Sequence, residues 1–413
     1  MAASPVCAPV AGCRCCGSAA LEPVLDLGAM PPSDAFAASA EAPDPAYPLE
    51  VAVCAGCGLA QLRHTVAPEA LFSADYHYHS SYTATVVENA ARAVAAALAR
   101  AAPPPGALAV ELASNDGYLL RHARAAGLAV LGVDPAPGPV AAARAAGIET
   151  VQDFFGEALA ARLAAEGRRA HLVFANNVLA HVADTAGFVR GIARLLHPEG
   201  VASVEVPYLR DLVDHVEFDT VYHEHLCYFS ATALAELFRR NGLVLADLER
   251  IPIHGGSLRL FVRHAGAEPS AAVRALLAEE AASGLATAAA FRAFAARVAG
   301  VGEALRGLLA GLRAQGLRVA AYGAAAKGTI LLNHFGIGPA ELLWVADRNP
   351  HKHGLFVPGV KLPIVGPERI EEDRPDALLV LPWNHRDEIM RQLQPFADRG
   401  GRFIIPIPEP RIV

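Results

Sequence analysis

Six of the seven cysteines fall within the first 57 residues, and four of them form two matching knuckles, Cys13-x-x-Cys16-Gly17 and Cys54-x-x-Cys57-Gly58. The glycine after each second cysteine suits a tight turn whose backbone N–H groups point at sulfur. Four thiolates in two CxxC pairs are the usual tetrahedral Zn²⁺ set, and a site with all four positions filled by Cys is structural, with no open position for chemistry. A redox CxxC or a set of surplus thiols is the alternative, disfavoured by two knuckles of the same form. The stretch between the pairs is longer than in a zinc ribbon, and the proline-rich segment from Asp26 to Leu49 is expected to loop out. Cys7 and Cys15 are left over, with an exchange of Cys15 for a neighbouring ligand the lesser reading.

Beyond this lobe the chain is long enough for two or three domains at 413 residues. With 53% hydrophobic and 19% charged residues it is not a disordered chain. Lys+Arg is 35 against 42 Asp+Glu, a net charge of −7, which argues against a nucleic-acid or membrane-surface binder. No apolar run approaches the ~20 residues of a membrane span. Met1 to Ala11 carries no Lys or Arg ahead of an apolar stretch, so a signal peptide is not expected and the cytoplasm is the expected compartment. The expected division is a zinc lobe over 1–79, a central domain over 80–280, and a helical connector with a last domain over 281–413.

A helix is expected from Thr83 to Ala101, ended by Pro103-Pro104-Pro105-Gly106. From Leu108 the pattern alternates. Strands are expected over 108–112, 128–133, 171–175 and 201–206, with helices over 118–126 and 188–196 between them. That spacing predicts an α/β fold, a doubly wound parallel sheet. Ligands bind at the carboxyl ends of such strands, where Glu111, Asp134, Asp153 and Asn176 stand. Long Ala-rich helices over 270–313 precede a second, smaller Rossmann-like sheet with strands expected over 317–322, 342–346, 377–381 and 403–406.

Strand, turn, helix, strand, acid is the general adenosine-binding scheme. The turn here, Glu111-Leu112-Ala113-Ser114-Asn115-Asp116-Gly117, lacks GxGxxG, so a dinucleotide pyrophosphate is disfavoured. An acid at the strand end without an anion cradle suits a cationic, phosphate-free ligand, and S-adenosylmethionine fits. Glu111, Ala113, Asn115 and Gly117 would frame it, Asp134 would take the ribose, Asp153 and Phe154 the adenine, and Asn176 and Asn177 the next strand end. A sheet with solvated acids and no ligand is the alternative.

The densest polar-aromatic run is Glu217 to Phe229. It is not a zincin helix, because the second His of HExxH would fall at Cys227. His223-x-His225 could be a metal pair, but no third ligand is obvious. If the run were extended, His223 and His225 would share a face. Imidazole is the natural general base near neutral pH. His181, after the Asn176 strand, could face the same pocket.

Taken together, the chain resembles the sugar C-methyltransferase family, which methylates ring carbons of nucleotide-linked deoxy-keto sugars in antibiotic biosynthesis. The match is carried by both cysteine knuckles, Tyr76-x-Tyr78, Ser114-Asn115-Asp116-Gly117, Asn176 through His181, Glu217-Phe218-Asp219 through Tyr222-His223-Glu224-His225, His254-Gly255-Gly256-Ser257-Leu258-Arg259, and Tyr322-Gly323 with Ala326-Lys327-Gly328. It spans essentially the whole chain. The resemblance implies an N-terminal four-cysteine zinc lobe, a class I methyltransferase sheet and a C-terminal Rossmann-like domain that helps bind the sugar nucleotide. It implies His225 as base, with Tyr76, His181, Tyr222 and Glu224 around the sugar, and Tyr78, His223, His254, Ser257 and Arg259 on the substrate side. The expected substrate is a dTDP-linked 4-keto-deoxy sugar methylated at C-3, handled by a monomer. Two departures stand out. Ala113 replaces a usual glycine, at little cost if its φ is negative, and Asp134 replaces a common Glu.

A carbon beside a ketone becomes nucleophilic as an enolate. His225 would remove its proton, and Tyr222 with His181 would hydrogen-bond the enolate oxygen. In the last domain, Tyr322 and Gly323 close the first strand, and Lys327 and Gly328 at a helix N-terminus suit a diphosphate, while Asp347 stands where a ribose or base contact belongs.

Overall fold

The computed structural model describes residues 6–71, 79–253 and 255–413. Tyr76, Tyr78 and His254 lie outside the described residues.

The central strands follow from nearly continuous apolar runs. Leu108–Leu112, Ala129–Asp134, Ala170–Asn176 and Leu196–Pro207 pair in parallel, with Thr150–Gln152 at one edge. Such strands are covered on both faces and so carry little polar alternation; Ala109, Val110 and Leu112 are fully buried. Across the sheet the order is 243–251, 257–264, 196–207, 170–176, 108–112, 129–134, 150–152. The chain departs in opposite directions from the Leu108–Leu112 strand, so a crevice opens at its carboxyl end.

The sequence reading did not anticipate the hairpin of Leu243–Ile251 and Ser257–His264, which closes the sheet antiparallel to Leu196–Pro207. Arg259, within it, is 3% exposed. Its Nε donates to Glu205 Oε1 at 2.6 Å, one Nη to Asn89 Oδ1 at 2.9 Å and the other to Glu249 Oε2 at 3.2 Å. Asn89 Nδ2 in turn donates to Glu205 Oε2 at 2.8 Å, so the helix Ala84–Ala101 is tied to the sheet by a buried polar network.

The segment expected to loop out between the cysteine knuckles instead contributes most of a sheet. Leu21–Met30 runs antiparallel to Tyr47–Cys54, and Ala60–Leu62 adds a third strand. Val24, Leu25, Leu27 and Met30 bury one face, and that apolar face outweighs the prolines. The hairpin draws the second knuckle back onto the first.

Helices Ala271–Ser283 and Ala288–Ala314, capped by the Ser270 and Thr287 side chains, lead to the last sheet. Its order is 364–365, 345–346, 319–322, 377–380, 402–405, 411–412, parallel except for the final strand. The helix Ala326–Phe335 follows the 319–322 strand and packs Phe335 against Phe218, ring centroids 4.9 Å apart. No single helix among the described residues is long and apolar enough to cross a membrane.

Candidate functional site

The first knuckle turns at Gly17 (φ 75°) and the second at Gly58 (φ 71°), each glycine N–H bonding back to the carbonyl of the first cysteine in its pair. The sulfurs of Cys13, Cys16, Cys54 and Cys57 all lie within 4.8 Å of one another. Cys13 and Cys57 sulfurs are 3.4 Å apart, and those of Cys16 and Cys54 3.5 Å. Thiolates on a tetrahedral Zn²⁺ stand about 3.8 Å apart, given a Zn–S length of about 2.3 Å. The donor set therefore fits zinc. Cys15 is buried beside the cluster, its N–H directed at Cys13 Sγ.

At the carboxyl end of Leu108–Leu112 the turn runs through left-handed backbone at Ala113 (φ 57°), Asn115 (φ 48°) and Gly117 (φ 77°). Ala113 therefore carries the conformation that favours glycine, not the negative φ under which alanine would cost little. The cost is about 1–2 kcal/mol of backbone strain. Asp134 holds the turn: its two carboxylate oxygens accept from the N–H groups of Asn115 at 2.9 Å and Ala136 at 2.8 Å. Glu111 is fully buried with Oε2 unpartnered among the described residues. Burial, then Asp134 and Asp116, push its carboxyl well above the usual carboxylate range. Asn176 and Asn177 at the neighbouring strand end keep Oδ1 atoms unpartnered among the described residues. Buried acids and orphaned acceptors at one crevice fit a cationic adenosine ligand. Asp153 is half-exposed and faces Arg162 at 3.7 Å, and Phe154 stands 71% exposed.

The run from Glu217 to Phe229 is bent, not extended. A 3₁₀ turn covers Phe218–Thr220, and only Cys227–Tyr228 is a strand, paired with Ala60–Leu62 of the zinc lobe. The bend separates the two histidines. His223 is buried, its Nε2 bonded to the Tyr47 carbonyl at 3.2 Å, where it anchors the run on the lobe. His225 turns the other way and donates Nδ1–H to the Thr220 carbonyl at 2.8 Å. A carbonyl only accepts, so in the neutral ring the proton sits on Nδ1 and the lone pair on Nε2.

Around that imidazole the structure gathers Tyr222, 3.9 Å away between ring centroids, and His181, 4.8 Å away and edge-on. His181 fixes its own tautomer the same way, donating Nδ1–H to the Glu224 carbonyl at 2.7 Å. It keeps an open edge, while the surrounding protein desolvates the ring and lowers its pKa. Glu224 accepts from Ser33 Oγ at 3.5 Å, and burial, opposed by its own amide and reinforced by Asp34, raises its carboxyl to about 7. Tyr228, given no role in the sequence reading, keeps a fully buried hydroxyl beside Tyr222 and Glu224. Its place in the densest aromatic run was the available signal.

Ser257 and Arg259 are taken up by the sheet: the Ser257 hydroxyl donates to the Ile253 carbonyl at 3.0 Å, and Arg259 holds the network described above. In the last domain a cavity of about 300 Å³ is lined by Tyr322, Gly323, Asp347, Arg348, Pro382 and His385, among others. Lys327 and Gly328 are not on that wall. The Lys327 ammonium is turned inward, 4.6 Å from the centre of the Trp383 ring and beside the carboxylates of Asp219 and Glu217.

Residues 13–72 match the family profile of a zinc binding domain, 86–248 that of a methyltransferase domain, and 252–408 that of a C-methyltransferase C-terminal domain. The chain is 36% identical over 409 residues to the C-methyltransferase NovU of Streptomyces niveus, covering 98% of this chain and 97% of that protein. Among solved structures, magnesium protoporphyrin IX methyltransferase of Synechocystis with bound SAM matches 43% of this chain and 79% of its own, at 16% identity and a TM-score of 0.33. The 1,6-didemethyltoxoflavin-N1-methyltransferase of Burkholderia thailandensis matches 45% and 83%, at 22% identity and a TM-score of 0.33.

Proposed function

Because the chain belongs to the C-methyltransferase family, we propose that it methylates a ring carbon, C-3, next to the ketone of a dTDP-linked 4-keto-deoxy sugar in antibiotic or branched-sugar biosynthesis. S-adenosylmethionine, bound at the Glu111–Asp134 crevice, supplies the electrophilic methyl group. His225 takes the proton from the ring carbon through Nε2. Its Nδ1–H stays on the Thr220 carbonyl, which holds the ring in place and stabilises the imidazolium that forms. Tyr222 is placed to hydrogen-bond the enolate oxygen and stabilise its charge, while His181, whose one N–H is spent on the Glu224 carbonyl, borders the pocket without a donor for that oxygen. The Tyr322–Asp347 cavity takes the nucleotide portion, with Arg348 beside it.

One observation carries the reading: an imidazole whose Nδ1 is held by the Thr220 carbonyl stands between a phenol and a second imidazole. His225→Ala is expected to lower turnover by at least about a hundredfold, the usual worth of a general base, while calorimetric affinity for S-adenosylmethionine changes little. The wild type should also exchange the ring hydrogen for solvent deuterium without the methyl donor, and the variant should not. Near-normal turnover in the variant removes His225 as base. Methylation without exchange favours transfer to oxygen or nitrogen instead.

A further inference from the structure

The turn that holds His225 is itself held from another domain. Phe218–Thr220 is closed internally by Thr220 Oγ1 donating to the Glu217 carbonyl at 2.7 Å. Its external fastening is Asp219, fully buried, whose Oδ2 accepts from Trp383 Nε1 at 2.7 Å. Asp219 Oδ1 has no hydrogen-bond partner among the described residues. A buried carboxylate is costly unless compensated, and here the Lys327 ammonium offsets its charge while the indole supplies the directional bond that fixes its place. Trp383, 5% exposed, stands between Pro382 and His385, both on the wall of the Tyr322–Asp347 cavity. One short turn therefore faces the nucleotide cavity on one side and the fastening of the base on the other.

We propose that Trp383 and Asp219 are positioning residues for His225: the indole bond sets the 218–220 turn, whose Thr220 carbonyl fixes the tautomer and aim of the imidazole. The active site is then completed by the C-terminal domain. This rests on the reading of His225 as base. The charged and titratable groups facing the relay are Lys327 and Glu217 around Asp219, and His181 and Tyr222 around His225.

The test compares Trp383→Phe, which keeps the ring and removes the donor, with Asp219→Asn, which keeps an acceptor for it, and Asp219→Ala, which does not. Trp383→Phe and Asp219→Ala should each lower kcat roughly tenfold or more, in the range typical of lost outer-shell support, with S-adenosylmethionine affinity and zinc content unchanged. Asp219→Asn should recover most of the rate. The double variant Trp383→Phe with Asp219→Ala should lose no more than Asp219→Ala alone, because the indole bond is already gone in that variant. The acid limb of the kcat/KM profile should move to lower pH in Trp383→Phe, since a misplaced Thr220 carbonyl stabilises the imidazolium less. Isotope-labelled histidine NMR should report the Nδ1–H tautomer of His225 in the wild type and a mixture in Trp383→Phe, whatever the activity. Unchanged tautomer and pH limb in that variant, or additive losses in the double variant, overturn the proposal. An active His225→Ala would instead overturn the assignment of the base and leave the tautomer result to stand by itself.

Discussion

Glu224 carries a carboxyl that burial holds protonated up to about pH 7, against 4.5 in an unfolded chain. Below 4.5 both states bind the proton and the group is neutral to stability. As pH rises toward 7 the unfolded chain releases its proton first, so the folded state loses stability across that window and the penalty is complete above it. Glu224→Gln is expected to raise the melting temperature near pH 8, by about 1–2 kcal/mol of stability after allowing for partial exposure, and to give almost no gain near pH 4; thermal denaturation at the two pH values checks this. At this scale much was legible. The run containing Tyr222, Glu224 and His225 announces itself by composition, and His181 by its place after a strand end. The tautomers were not legible, because they depend on which backbone carbonyl each Nδ1 meets. Nor was the division of labour between His223 and His225, which alternation would have placed on one face and a bend sends to opposite sides.

Arg259 shows how an element can absorb a motif. Read along the chain, the Gly255-Gly256-Ser257-Leu258-Arg259 stretch suggests ligand contact; folded, it starts the last strand of the sheet and neutralises Glu205. Arg259→Met should cost about 3–5 kcal/mol, because it leaves a buried carboxylate without its cation. Chemical denaturation would measure it, and a loss below about 1 kcal/mol would mean that water replaces the guanidinium. The inner parallel strands were readable to within about five residues, since strands covered on both faces are apolar throughout; the short edge strands Thr150–Gln152 and Ile364–Val365 were not read. The hairpin was hidden because Asp247, Glu249 and Arg250 interrupt it with charges that only cross-strand and helix partners explain.

Three modules meet at one segment. The zinc lobe pairs with Cys227–Tyr228, the central sheet places His181 beside it, and the helix Ala326–Phe335 packs on its 3₁₀ turn. A strong chelator is therefore expected to abolish turnover in step with loss of lobe structure, even though the metal takes no part in the chemistry, while S-adenosylmethionine affinity falls much less. Parallel assays of zinc release, circular dichroism and activity would check it, and full activity in zinc-free protein would contradict it. Such meetings leave little trace in a sequence: the Thr329 hydroxyl bonds the Ser33 carbonyl across 296 positions, and neither residue hints at the other.

The indole bond to Asp219 also bears on recombination. A chimera that takes its C-terminal half from a relative would import whatever that relative carries in place of Trp383. The 218–220 turn would then answer to a foreign neighbour. Recombining this architecture calls for crossover points that keep the 217–225 segment and the 382–385 turn from the same parent.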